Sequence, residues 1–166
     1  MDRRLAGRFA VAATVAASSA IAAVAGYMFL VGSSSAVLEP DDSQLVAHGK
    51  AIYMEHCASC HGRNLEGQPD WQTQDKEGFL PAPPHDQSGH TWHHPDTLLF
   101  KITKLGIAEA ANLKGYKTRM PAFRETLSDD DIIAALSFIK SRWAEDVRRR
   151  HDQLNRAYER RDSSAR

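Results

Sequence analysis

The chain has 166 residues, 42% hydrophobic and 25% charged, which is one ordinary domain's worth of sequence and neither low-complexity nor disordered throughout. Lys plus Arg and Asp plus Glu are 21 each, and this zero net charge gives no support for a general nucleic-acid binder, which shows a basic excess. The two cysteines, Cys57 and Cys60, share one short motif, so a disulfide scaffold stapling distant segments is excluded.

No charged residue occurs from Phe9 to Leu38, and the most apolar part, Phe9 to Val31, is 23 residues long. That is enough to cross a hydrocarbon core needing roughly 20 helical residues. Residues 1–31 therefore read as a cytoplasmic stub and transmembrane anchor. The alternative is a cleaved signal segment with Ser34-Ser35-Ala36 as its cleavage site, although a signal's apolar region usually runs ~7–15 residues. Either way Arg3, Arg4 and Arg8 stay on the cytoplasmic side and send the chain beyond Val31 across the membrane, to the periplasmic side. If the segment is cleaved, the product is expected to be secreted to the periplasm.

Residues 32–42, rich in serine and with little to bury, read as a linker. The compact domain is expected over residues 43–142, beginning with a helix capped by Ser43 and carrying Leu45, Ala51, Ile52 and Met54 into the cysteine motif. Between Gly62 and Trp92, prolines at 69, 81, 83 and 84 and glycines at 67, 78 and 89 interrupt any apolar period. So long a loop inside a compact domain needs support from something other than a protein core, such as a large apolar cofactor. A second helix is expected from about Pro95 to Leu105, with Leu98, Leu99, Ile102 and Leu105 on one face and Gly106 ending it. In the third, Ser128 and Asp129 to Asp131 form the start, and Ile132, Leu136, Ile139, Trp143 and Val147 make a stripe at steps of four, three, four and four. Residues 143–166 form a basic helical tail, with eight basic and five acidic residues from 141 onward, expected to continue the third helix through Leu154 and Tyr158. No segment alternates as a strand, so the fold class is all-α.

Cys57-Ala58-Ser59-Cys60-His61 is the attachment signature for c-type haem: two thiols form thioether bonds to the porphyrin and the adjacent imidazole binds the iron. On a helical turn, cysteines three residues apart share a side, and a histidine immediately after the second can project beneath the ring plane. A redox dithiol would want a strand-helix-strand setting that is missing. A zinc finger would need histidines roughly 12–15 residues on, whereas His90 is 30 residues after Cys60.

Residues 43 to 142 resemble the class I cytochrome c family. The likeness rests on Gly49-Lys50-Ala51-Ile52-Tyr53, on Cys57-Ala58-Ser59-Cys60-His61-Gly62, on Met120-Pro121-Ala122-Phe123 and on a final helix with an aromatic near Trp143. The Pro-rich stretch and Gly89-His90-Thr91-Trp92-His93-His94-Pro95-Asp96 resemble a bacterial, often membrane-tethered subgroup. What the resemblance implies is the cytochrome c fold, three main helices wrapped around one covalent haem c, and electron transfer with histidine and methionine as axial ligands. It also implies that a backbone carbonyl on a proline-containing loop, at Pro83 or Pro84, fixes the other nitrogen of His61.

Given an attached haem, Met1 is the start, Met28 lies in the apolar segment and Met54 sits one turn before Cys57, which leaves Met120 for the opposite face of the ring. Pro121 holds that stretch extended. The rival sixth ligand is one of His85, His90, His93 and His94, a cluster that could instead take an added metal ion. Trp92 can donate to a haem propionate. Lys101, Lys104, Lys114, Lys117 and Arg119 are candidate docking charges for redox partner proteins such as a membrane oxidoreductase or terminal oxidase. The leading expectation is a membrane-tethered electron carrier that transforms no small-molecule substrate. The alternatives are a haem-based sensor, an accessory electron-transfer subunit of a respiratory complex, and a zinc-binding interaction module.

Overall fold

A computed structural model describes residues 37–165. The span expected over residues 9–31 lies outside them, and among the described residues no helix is long and apolar enough to cross a membrane. The architecture of the described part is all-helical, as expected.

The first helix, α1, spans Ser43–His56. Its cap is Asp42 rather than Ser43: the Asp42 carboxylate accepts from the N–H groups of Gln44 and Leu45 at 2.9 and 3.0 Å. A carboxylate at the positive end of the helix is the better acceptor. The inward face also differs from the expected one. Gly49 and Tyr53 are buried with Val46, Ile52 and Met54 beside them, while Ala51 is exposed.

Gly49 sets that face. A Cβ there would lie 1.9 Å from the carbonyl oxygen of Ala134, so only glycine lets α1 cross this closely over α5, Asp129–Ser141. A capping box starts α5, with Ser128 Oγ accepting from Asp131 N–H and Asp131 accepting from Ser128 N–H. Beyond it, Ile132 and Ala134 to Lys140 are buried. His48 Nε2 and Asp131 Oδ1, 2.8 Å apart, join the two helices at the surface.

Between these helices lie α2 (Ala58–His61), a 3₁₀ turn over Thr91–His93, α3 (Asp96–Leu105) and a short α4 (Ile107–Ala110). Pro95 caps α3 instead of opening its first turn, and Gly106 ends it with φ 84°.

The expected continuation of the third helix is not found. The chain breaks at Arg142 to Ala144 and a separate α6 runs Glu145–Ser164. Trp143 sits in the break, where its Nε1 donates to the carbonyl of His85 at 2.8 Å and ties this turn to the loop before α3. The stripe survives in phase because Trp143 and Val147 stay buried, now from two elements.

The linker, too, is docked at its end. Leu38 is 4% exposed, its N–H donates to Asp96 Oδ2 at 3.1 Å, and Glu39 N–H donates to Ser137 Oγ at 3.0 Å.

Under α6 lies a buried ionisable group. His151 is fully buried, its Nε2 donates to the His94 carbonyl at 2.9 Å, and Asp96 Oδ1 is 3.3 Å away. Buried Lys140 lies 2.8 Å from Asp152 and 3.8 Å from Asp96, and Trp143 packs edge-on against the His151 ring. Burial lowers the His151 pKa below its ordinary 6.5, outweighing the opposing pull of Asp96. A histidine held neutral in the folded state but free to protonate when unfolded contributes stability above its unfolded pKa, and this is lost as pH falls below it. His151→Gln should therefore flatten the fall in stability as pH drops below about 6.5, by up to about 1.4 kcal/mol per pH unit. Urea midpoints across that range would measure it, with an unchanged slope counting against the assignment.

Candidate haem-attachment site

The cysteine motif is a tight continuation of α1. Cys57 closes that helix through its N–H to the Tyr53 carbonyl at 2.9 Å, and the N–H groups of Cys60 and His61 return to the Cys57 carbonyl at 3.1 and 3.0 Å. Both thiols are free, Cys57 half-buried and Cys60 exposed. Burial, followed by the charge of Cys60, pushes the Cys57 thiol up to about 11. A thiol-disulfide nucleophile is favoured by a depressed pKa, and the shift at Cys57 runs the other way.

His61 is 8% exposed. Its Nδ1 lies 2.9 Å from the carbonyl oxygen of Pro83. A carbonyl can only accept, so Nδ1 carries the hydrogen and Nε2 keeps its lone pair. Burial lowers the His61 pKa, opposed by that same carbonyl, and the ring is poised as a neutral donor ligand. Of the two prolines named from the sequence, Pro83 thus supplies the acceptor, while the carbonyl of buried Pro84 faces Thr91 Oγ1 at 3.5 Å.

The loop after the motif is built to place that carbonyl. Gly67 N–H donates to His61 O, Gln68 N–H to Ala82 O, and His85 N–H to Leu65 O, each at 2.8 Å. Buried Leu65 anchors the first arm. At Gly67 (φ 69°) a Cβ would come within 2.4 Å of Pro84 N, so glycine is needed where the two arms touch. Tyr53, fully buried, donates to Gly62 O at 2.8 Å and seals the motif against α5 through the Phe138 ring.

His85 occupies a position the sequence did not reveal. Its ring stacks on His61 at 3.9 Å between centroids and 23° between planes, and its Nδ1 is hydrogen-bonded to Thr91 Oγ1 at 2.8 Å. Burial and the neighbouring His61 and His90 hold it well below the ordinary imidazole range, so it is a neutral spacer beside His61. The rest of the histidine cluster is dispersed among aromatic contacts: His90 on Trp71, His94 edge-on to His90, His93 against Trp92. Among the described residues no three His, Cys, Asp or Glu side chains are grouped to hold a metal ion.

Met120 is half-buried against the same apolar core whose margin includes Cys57 and Trp92. Trp92 Nε1 is buried and has no acceptor. A buried N–H without a partner costs roughly 1–3 kcal/mol, so an acceptor belongs there, and a carboxylate of a bound haem is of the right chemistry. Free paired thiols, a fixed imidazole tautomer and this orphaned donor together fit a covalent haem c. Of the expected docking cations, Lys104 pairs with Asp129, Lys117 donates to Glu77 O and Arg119 pairs with Asp75 and Glu77.

The family model described as Cytochrome c matches residues 46–143 of this sequence. No curated protein and no solved structure matches it.

Proposed function

The chain belongs to the cytochrome c family, and on that premise we propose that this haem-based electron-transfer protein is a class I, single-electron carrier with His61 and Met120 as its axial ligands. Haem c, when bound, supplies a one-electron ferric/ferrous couple. The chain's residues do the rest. Cys57 and Cys60 hold the group covalently, so it is retained in both oxidation states, and the Pro83 carbonyl keeps His61 in one tautomer and orientation. Trp92 Nε1 donates to a propionate. The thioether of Met120 favours the reduced state and closes the sixth position, leaving no open site for chemistry on a substrate.

The observation that carries this reading is the 2.9 Å contact from His61 Nδ1 to Pro83 O immediately after the cysteine pair, because it frees the one nitrogen that iron requires. An absorbance spectrum and an intact mass of the chain, made with a haem-attachment system, test it: a colourless product lacking the added macrocycle would end the proposal. Met120→Ala should lower the midpoint potential and admit carbon monoxide to the ferrous protein. Unchanged potentiometric titration and no carbon monoxide spectrum would remove Met120 from the ligand set.

The uncharged run from Phe9 to Leu38 behind Arg3, Arg4 and Arg8 supports a membrane tether with the haem domain at the periplasmic face, exchanging electrons with a membrane oxidoreductase or terminal oxidase. Exposed Lys101 and Lys114 suit transient docking to acidic partners.

A further inference from the structure

Residues 114–122 are a strap with little support of its own. Among the described residues, no backbone group from Lys117 to Ala122 bonds to another backbone group, and the N–H of Met120 turns back onto Thr118 Oγ1 at 3.0 Å. Side chains must therefore hold it. Arg119, immediately before Met120, reaches more than forty positions back along the chain: Nη1 donates to Asp75 Oδ2 at 2.7 Å and Nη2 to Glu77 Oε2 at 2.9 Å. Its guanidinium carbon lies 3.9 Å from the centre of the Phe79 ring.

The receiving turn is organised for this. Asp75 Oδ1 accepts the N–H groups of Glu77 and Phe79, both at 2.9 Å, which turns Oδ2 toward Arg119. The N–H of Phe79, and then Arg119, hold the Asp75 carboxyl below its usual range, so it remains ionised. From the strap, Lys117 Nζ donates to the Glu77 carbonyl at 2.8 Å and lies 5.8 Å from the Phe79 ring centre. One exposed ion pair is worth little, but here two carboxylates and an aromatic face converge on a single planar fork that is sequentially adjacent to the thioether.

We propose that Asp75, Glu77 and Phe79 form a latch on Arg119 that positions Met120 for the iron, making Arg119 a positioning residue for the sixth ligand. The latch rests on the reading of Met120 as that ligand. It joins the strap to the loop after the cysteine motif, so both faces of the haem crevice are fastened to each other through surface charges and one ring.

The test uses the holoprotein, with wild type and Met120→Ala as the two limits. Arg119→Gln should keep haem content and helicity yet bind carbon monoxide about tenfold faster than wild type when ferrous. It should also weaken the methionine–iron charge-transfer absorption of the ferric form. Asp75→Asn with Glu77→Gln should reproduce the effect from the other side, and Arg119→Lys, which keeps the charge but not the fork, should fall between. An Arg119→Gln protein with wild-type carbon monoxide kinetics and absorption overturns the latch alone. A wild-type protein that lacks the methionine–iron absorption, or binds carbon monoxide as fast as Met120→Ala, overturns the ligand assignment and the latch with it.

Discussion

Gly49→Ala should destabilise the holoprotein by about 3 kcal/mol, visible as a lowered denaturant midpoint with an unchanged slope. The new methyl would meet Ala134 O at 1.9 Å and Ala134 C at 2.4 Å. Both belong to a helix backbone, which cannot rotate aside as a side chain would, so α1 and α5 must separate. Around the crossing, Tyr53, Ile132 and Ala134 are fully buried, and separation loosens all three. Alanine's better helix propensity returns only about 1 kcal/mol. A midpoint equal to wild type would mean that the helices do not cross this closely.

Cys57→Ala combined with Cys60→Ala should abolish covalent haem altogether: acidified organic solvent should extract any pigment, and the intact mass should be that of the bare chain. Each single variant should keep one thioether and resist extraction. The consequence for folding is larger than the loss of two bonds, because residues 72–77 are exposed and the arms of the loop over 62–92 touch chiefly through backbone hydrogen bonds. That loop packs few apolar side chains of its own, so without the macrocycle the chain should accumulate poorly. Survival of the double variant at wild-type yield and stability would show that the protein core suffices.

The parts of this molecule readable from sequence are those specified within a few residues. Ser128 and Asp131 are a capping box at three-residue spacing, and the cysteine motif needs only one helical turn. Choosing the first cap failed because Asp41, Asp42 and Ser43 are all good capping residues in a row, and only the folded backbone shows which oxygen meets two N–H groups. The break after Ser141 was masked by an apolar stripe that stays in phase across two helices. Glu145 and Asp146, a fresh pair of acids at a helix start, were the signal that a new element begins.

In the candidate site, a proline carbonyl for His61 could be narrowed to two neighbours but not to one, since the choice turns on which of them faces the ring. Met120 stands out in the sequence because so few methionines compete, and the structure places it half-buried at the margin of the core. The His61–His85 stack and the clasp on Arg119 could not be read at all. Both depend on segments dozens of residues apart meeting in space, for which a single sequence carries no local pattern.

Two backbone carbonyls, those of His85 and His94, are bonded by side chains from much later in the sequence, Trp143 and His151. During synthesis from the amino terminus, that part of the protein has no finished outer side until residue 151 has emerged. The histidine-bearing segment thus lacks these two closing bonds until Trp143 and His151 are both in place.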